Sequence, residues 1–245
     1  MIKIGKYRIF FGDFHGQWNA SEEEMALLVA GLWYYGYDFT AFQSPDRYRF
    51  LKRILYFNQI PISAFPGKEY VYEWGHLTTV KVKGRAPDAD NIDYKKVLKW
   101  FKEHSNWVVM AHPYEFMIDH LEELIDLNLL DAIELVNGPL SSNRNNILLR
   151  WYSSLLRKGK SVPIVSGLDI HIPKGASRPE IMYTEDYPPS ADIELFGTNR
   201  TGVITDECSI EGIKEAIKKR QTFIELPGYH LIGPPEIVEY LEKNN

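Results

Sequence analysis

The chain has 245 residues, of which 44% are apolar and 25% are charged, and its net charge is −5. This length allows one large α/β domain or two small ones with a sizeable core. The negative net charge, without a basic stripe interleaved with aromatic residues, argues against a general nucleic-acid binder.

Strand-like and helix-like patterns alternate along the N-terminal half of the chain. A helix is expected to begin at Ser21, where Glu24 completes a capping box. The other elements expected here are strands at 7–11, 38–42 and 60–65, a helix at 48–56, a hairpin at 70–82 and a loop at 87–93.

The C-terminal half continues this alternation without an internal repeat or a clear linker. We expect helices at 94–101, 116–127, 147–155 and 210–217, with strands at 107–111, 131–136, 162–165, 201–205 and 223–226. Residues 175–197 are predicted to form a long loop over the active face, and a loose tail with a short helix is predicted from about 228. About seven βα steps favour a single domain over 1–245, with a largely parallel α/β barrel rather than an open sheet.

Several histidines and acids come directly after strand-like runs, in the motifs FGDFHGQ, PGKEYVYEWGHL, VVMAHPYE and SGLDIH. The carboxyl ends of barrel strands meet at one face, so we expect these side chains to lie close together. Neutral imidazoles and carboxylates gathered in this way predict a metal site. The residues concerned are His15, Glu69, His76, His112, Asp169 and His171.

The individual motifs leave alternatives open. Asp13 can accept a hydrogen bond from the His15 imidazole and orient the ring, or it can cap a turn beside a surface histidine. Glu69 follows Pro66-Gly67 at an expected strand end, where a carboxylate can bridge two cations or remain a solvated loop acid. His76, in the predicted hairpin, is similarly ambiguous.

His112 directly follows the apolar run VVMA, and Pro113 stops that strand, so the imidazole is expected to face the barrel mouth. Asp169 and His171 have an i, i+2 spacing, which directs both side chains the same way in an extended segment. His104, His120 and His230 are expected to take no part in the site.

Three further positions are candidates for supporting roles. Glu134 is either a core-facing acid or a partner of a metal ligand, and Asn137 either contacts substrate or closes a turn before Gly138-Pro139. Trp18 can line a pocket beside the His15 loop. Cys208 has no neighbouring histidine, which argues against a thiol nucleophile.

The ordered motifs resemble those of the PHP (polymerase and histidinol phosphatase) superfamily of metal-dependent phosphoesterases and hydrolases. The resemblance runs from Phe11 to about Pro227. The family's D-x-H-x-H, G-x-E, downstream histidine, H-P and D-x-H motifs match Asp13-Phe14-His15-Gly16-Gln17, Gly67-Lys68-Glu69, His76, His112-Pro113 and Asp169-Ile170-His171.

This resemblance implies a distorted (β/α)7 barrel. It also implies that His15, Glu69 and Asp169 hold a first metal and that Glu69, His76 and His112 hold a second. His171 corresponds to a ligand of a third metal. Glu69, His171 and Asp13 are the candidate catalytic residues.

Two departures from the family pattern change the expected number of metals. Gln17 replaces the second histidine of the opening motif, and the T-D-H motif is missing near Gln43-Ser44-Pro45. We therefore expect one or two divalent ions (Mn, Zn or Fe), an empty third position, and a His171 free to contact substrate or act as an acid.

The residues and the resemblance leave three functions open. The first is a phosphoesterase acting on a small phosphate ester, with Arg144 or Arg178 holding the anion unless these arginines form surface salt bridges. The second is a metal-dependent hydrolase of a non-phosphate ester or amide. The third is a degenerate barrel that binds a ligand or a partner.

Location follows from weaker signals. The single cysteine, Cys208, excludes an intramolecular disulfide and fits a reducing compartment. No segment has the pattern of a signal peptide or a membrane span, so a cytoplasmic protein without membrane contact is expected. The sequence does not predict an oligomeric state.

Overall fold

The computed structural model describes residues 1–16, 22–88, 93–138, 143–169 and 199–244. These residues form a mixed α/β fold in which helices pack around one curled sheet of eleven strands. The strands are β1 (Ile2–Ile4), β2 (Tyr7–Gly16), β3 (Phe39–Phe42), β4 (Ser63–Tyr72), β5 (Gly75–Val80), β6 (Val108–Ala111), β7 (Ala132–Asn137), β8 (Ile164–Gly167), β9 (Arg200–Ile204), β10 (Thr222–Leu226) and β11 (His230–Ile232).

The helices lie largely where the apolar periodicity predicts them. They are α1 (Glu22–Tyr34), α2 (Tyr48–Phe57), α3 (Tyr94–His104), α4 (Ile118–Asp126), α5 (Asn143–Arg157), α6 (Ile210–Lys218) and α7 (Pro235–Asn244), with short 3-10 turns at Pro45–Arg47 and Glu115–Met117. Asp93 caps α3 by accepting a hydrogen bond from the Lys95 amide, and Ser209 caps α6 in the same way.

The sheet is mixed, which corrects the prediction of a largely parallel one. The runs β2-β3-β4 and β6-β7-β8 are parallel, as crossover helices require. The hairpin strand β5 joins these two runs by antiparallel pairing with β4 and β6. On the other side, β9 pairs antiparallel with β2, and β10 and β11 follow it. The prediction was wrong because three of the connections, β1–β2, β4–β5 and β10–β11, are hairpins without a helix, and because β9 runs antiparallel to both β2 and β10.

The curl of the sheet brings β8 back to β2 and β9. The Ser166 amide donates to Thr201 Oγ1 at 2.7 Å, which joins β8 to β9. Just beyond β8, the Asp169 amide donates to the His15 carbonyl at 2.9 Å, and the Leu168 amide donates to Asp13 Oδ1 at 3.1 Å. The carboxyl ends of β2 and β8 therefore meet at one face of the fold.

β2 is longer than the predicted strand at 7–11, which was expected to end at Gly12. The strand runs on through Asp13 and His15 to Gly16. A Cβ at Gly12 would lie 2.1 Å from the ring of Phe39, so this glycine allows close packing of β3 rather than ending β2.

β4 corrects a second boundary, because it passes straight through Pro66 and Gly67. Pro66 is opposite Phe42 in the last parallel pair with β3, and its carbonyl accepts a hydrogen bond from the Lys81 amide. Beyond this point β4 pairs antiparallel with β5, so Glu69 lies within a strand rather than in a loop at a strand end. The proline stands where β4 changes partners, a position that does not need its missing amide proton.

The segment expected to be a loose tail from 228 contains β11 and α7. Ile237 and Leu241 of α7 are buried against Ile9 and Phe11 of β2. The predicted loop at 175–197 lies outside the described residues. Within the described part of the chain, every helix is too short or too polar to cross a membrane.

Candidate metal centre

Five of the predicted site residues converge at the face where β2 and β8 meet. His15 lies on β2, Glu69 on β4 and His76 on β5, while His112 directly follows β6 and Asp169 follows β8. They form two groups whose potential ligand atoms lie within 4.8 Å of one another, namely His15, His112 and Asp169, and Glu69, His76 and His112. The second group is the set predicted for a second metal, whereas the first contains His112 where Glu69 was expected.

Glu69 lies at the centre of this cluster. Its Oε1 atom is 2.8 Å from His76 Nδ1, 3.3 Å from His112 Nε2 and 3.6 Å from His15 Nε2. One carboxylate oxygen therefore faces three imidazoles, so Glu69 reaches both groups although His112 is the residue they share.

Asp169 approaches the same imidazoles from the exit of β8. Its Oδ1 is 3.5 Å from His15 Nε2, and its Oδ2 is 3.7 Å from His112 Nε2. Asp169 and His112 have positive φ angles of 46° and 26°, a conformation that L-residues rarely adopt. Such local strain is typical of functional sites, where the surrounding structure maintains it.

Glu134 of β7 is buried beneath the cluster and fixes two of its histidines. Its Oε1 lies 3.2 Å from His15 Nδ1, and its Oε2 accepts a hydrogen bond from the His112 amide at 2.7 Å. Asn137 donates from Nδ2 to Glu134 Oε2 at 3.1 Å and to Asp169 Oδ2 at 3.3 Å. A carboxylate behind an imidazole fixes the tautomer with Nε2 free, which is the form that a metal binds.

The cluster has a strongly perturbed charge balance. Burial would raise the pKa of Glu69, but hydrogen bonds from His112, His15 and His76 outweigh it and lower that pKa well below its usual range. Burial would likewise lower the pKa of His15, yet the charges of Asp169 and Glu134 hold it well above its ordinary value. A site that attracts positive charge in this way suits a divalent cation.

Asp13 contacts the backbone of His15 rather than the His15 ring. Its Oδ1 accepts hydrogen bonds from the backbone amides of His15 at 2.9 Å and Leu168 at 3.1 Å, while the ring of His15 is held by Glu134. Burial raises the pKa of Asp13 to about 6, although these two amide hydrogen bonds act to lower it. Asp13 thus joins β2 to the segment after β8 and positions His15 through the backbone.

Tyr114 and Arg144 surround the outer histidines. Tyr114, which the sequence analysis did not single out, has its hydroxyl 3.1 Å from His76 Nε2. Arg144 on α5 lies over the Tyr114 ring at 5.4 Å, with its Nη1 atom 3.4 Å from His112 Nδ1. Tyr114 follows His112 by two residues in the run HPYE, and this spacing is the sequence feature that could have identified Tyr114 as a neighbour of the site.

Gln43 occupies the place where the family's T-D-H motif was expected. Its Nε2 donates to the carbonyls of Ala41 at 3.0 Å and Phe14 at 3.3 Å, so the side chain supports backbone. The three histidines expected to take no part, His104, His120 and His230, belong to neither group. The other predicted positions, Gln17, Trp18, His171 and Arg178, lie outside the described residues.

Comparison with known proteins gives a fold relationship. The chain is similar to the crystal structure of a two-domain protein from Bacteroides vulgatus that contains a predicted PHP-like metal-dependent phosphoesterase, with 17% identity and a TM-score of 0.65 over 99% of this chain and 72% of that one. It is also similar to PsfC from Pseudomonas syringae, with 10% identity and a TM-score of 0.51 over 97% of each chain. No family model and no curated protein matches the sequence.

The chain shares its fold with these solved structures, and its histidine and carboxylate groups consist of side chains that commonly bind divalent metals.

Proposed function

We propose that this protein is a metal-dependent phosphoesterase built on a distorted (β/α)7 barrel in a single domain. The observation that carries the proposal is the convergence of two potential ligand groups that share His112. The likeness to a solved chain containing a predicted PHP-like phosphoesterase supports it.

The donor set fits one or two divalent transition metals, Mn, Zn or Fe. His15 and Asp169 would hold one ion and His76 the other, His112 would bind one of the two through its single free Nε2 lone pair, and Glu69 lies within reach of both. Three imidazoles with two carboxylates form a donor set that suits these transition metals better than it suits Mg or Ca. When bound, such ions activate water and neutralise charge that develops on the ester.

The protein's own residues position this chemistry. Glu134 holds the His15 ring and the His112 backbone, and the Tyr114 hydroxyl lies 3.1 Å from His76 Nε2 while His76 Nδ1 faces Glu69. Asp13 acts as a positioning residue on the backbone of His15. We retain His171 as a candidate acid or substrate contact, and Gln17 and Trp18 as candidate contacts, from the sequence alone.

Arg144 is the candidate for binding the anionic part of a phosphate ester. Its guanidinium reaches the edge of the cluster at His112 and forms no ion pair with a described carboxylate. It is also the single Lys or Arg side chain in contact with the cluster among the described residues. That sparse positive charge favours, as a second candidate, hydrolysis of a non-phosphate ester or amide.

A paired substrate panel tests these two functions. The full chain, reconstituted with Mn, Zn or Fe, is assayed on phosphate monoesters and on carboxyl esters that share the same alcohols. We expect turnover of the phosphate series, with kcat/KM reduced at least tenfold by Arg144→Ala but little changed by Arg150→Ala on the same helix. Turnover of carboxyl esters alone would contradict the phosphoesterase function and support hydrolysis of a non-phosphate ester. Metal binding without turnover of either series would favour a ligand-binding barrel.

A further inference from the structure

A cleft beside the metal cluster has no role in the metal binding proposed above. Its volume is about 590 Å³, within the ordinary range for small-molecule sites. His76 lines this cleft and also belongs to the cluster, where its Nδ1 lies 2.8 Å from Glu69 Oε1. A molecule in the cleft would therefore contact a side chain of the candidate metal centre.

Two stacked aromatic pairs line the cleft. Tyr72 and Trp74, at the turn between β4 and β5, have ring centroids 5.0 Å apart and planes inclined by 7°. Tyr114 and Phe116, after β6, have centroids 6.0 Å apart and planes inclined by 12°. Parallel ring faces of this kind offer stacking surfaces to another planar ring.

One of these pairs is fixed by contacts behind it, whereas two apolar residues of the lining are open to solvent. Trp74 packs against Tyr94 at 5.9 Å, and the Tyr72 hydroxyl donates to the Pro87 carbonyl at 3.3 Å. Phe116 and Val71 are 59% and 65% exposed. Preformed aromatic faces beside exposed apolar side chains indicate a ligand surface rather than part of the core.

The charge of the cleft is negative. Glu73 and Asp88 line it, and the described lining residues include no lysine or arginine, since Arg144, 5.4 Å from the Tyr114 ring centroid, lies outside this lining. Carboxylates repel an anionic ligand, and the electron-rich faces of the aromatic rings attract a cation. The lining thus favours a neutral or positively charged ring and disfavours a negatively charged one.

Tyr114 connects the cleft to the cluster. Its ring stacks with Phe116, and its hydroxyl lies 3.1 Å from His76 Nε2. The cleft and the metal centre are therefore adjacent, so one part of a substrate could bind in the cleft while another part reacts at the metal centre.

We propose that this cleft binds the leaving group of the substrate, and that this group is a planar aromatic ring that is neutral or positively charged. The leaving-group role rests on the proposed hydrolase function, whereas binding of the ring does not.

The first test measures binding of ring probes that carry no phosphate, by ligand-observed NMR titration of the full-length protein with its metal. The probes are 2-phenylethylamine, 2-cyclohexylethylamine and 2-phenylethanesulfonate. We expect the aromatic amine to bind about threefold more tightly than the cyclohexyl amine, because stacking is lost with a non-planar ring. We expect it to bind about tenfold more tightly than the sulfonate, because of charge. Equal affinities for all three, or no binding of the aromatic amine, would overturn the proposal.

Two matched phenylalanine variants locate the binding. Phe116→Ala should weaken 2-phenylethylamine binding about fivefold, whereas Phe57→Ala, at a comparably exposed phenylalanine at the end of α2, should leave it unchanged. Glu73→Gln should reduce the preference for the amine over the sulfonate. An unchanged affinity in Phe116→Ala would place the probe elsewhere and contradict the assignment of the cleft.

Turnover separates the leaving-group role from the hydrolase function itself. We expect KM for 2-phenylethyl phosphate to be at least threefold lower than KM for methyl phosphate, and Phe116→Ala to remove that difference. Equal KM values with good turnover would overturn the leaving-group role and leave the hydrolase function intact. Binding of the amine without hydrolysis of any ester would overturn the hydrolase function and the leaving-group role together, while ring binding in the cleft would stand.

Discussion

The carboxylate of Glu134 and the imidazole of His15 lie 3.2 Å apart, although 119 residues separate them in the chain. The same carboxylate accepts the His112 amide at 2.7 Å. Glu134 therefore fixes two of the five cluster residues from below, without itself belonging to either potential ligand group. The geometry of the candidate metal centre depends on this buried acid.

Replacing Glu134 with glutamine should weaken metal binding by about 10- to 100-fold, the usual loss when a partner behind a metal ligand is removed. A glutamine carbonyl oxygen cannot accept all three hydrogen bonds that now reach Glu134 from His15, His112 and Asn137. Competition against a fluorescent chelator measures the affinity. Glu123→Gln, at an exposed surface pair with Lys95, is the matched control and should bind metal normally. Binding by Glu134→Gln within twofold of the wild type would contradict this role.

Gly167, at the end of β8, is a second site that supports the centre without supplying a ligand. A Cβ there would lie 2.1 Å from Glu134 Oε1 and 2.3 Å from His15 Cβ. Gly167→Ala should therefore displace both side chains, lowering the free energy of unfolding by about 1–3 kcal/mol and metal affinity at least tenfold.

Gly159→Ala separates the two effects of the Gly167 substitution. Gly159 has a φ of 70°, and no atom lies within 4 Å of its would-be Cβ. Alanine there should cost about 1 kcal/mol through backbone strain alone and leave metal affinity unchanged. Urea unfolding and chelator competition on both variants make the comparison. Normal metal affinity in Gly167→Ala would show that the glycine serves stability only.

Cys208 should be an unreactive thiol. Burial raises its pKa to about 11 from an ordinary value of 9.0, so its thiolate fraction at pH 8 is about 100-fold lower than that of an unperturbed thiol. Alkylation by iodoacetamide, followed by mass spectrometry, should be at least tenfold slower in the native protein than in urea, and its rate should still rise between pH 8 and pH 10. Equal rates in the native and the unfolded protein would contradict the burial of this thiol.

Part of the cluster could be predicted because His112 and Asp169 follow strands, and the sheet brings the carboxyl ends of those strands to one face. His112 after VVMA and Asp169 after the β8 run are examples in which a local pattern was sufficient. Glu134 could be identified only as an acid at a strand, because its partner His15 is distant in sequence and the contact depends on how far the sheet curls.

The boundaries of β2 and β4 show what local patterns miss. Gly12 and Pro66 were interpreted as strand ends, yet Gly12 accommodates the ring of Phe39, and Pro66 lies where β4 exchanges one partner strand for another. Both features depend on contacts with strands that are distant in sequence. The residues next to Gly12 or Pro66 in the sequence therefore cannot reveal them.

The central claim, that His112 belongs to both potential ligand groups of a metal centre, is tested most directly by metal stoichiometry. Wild-type protein, reconstituted with Mn or Zn and desalted, is compared by plasma mass spectrometry with His15→Ala, His76→Ala and His112→Ala. His120→Ala, a helix-surface position outside both groups, is the matched control. We predict one or two metal equivalents in the wild type and the same number in His120→Ala, less metal in His15→Ala and in His76→Ala, and the lowest content in His112→Ala, because His112 Nε2 faces both ligand groups. Equal metal content in His112→Ala and His120→Ala would contradict the account.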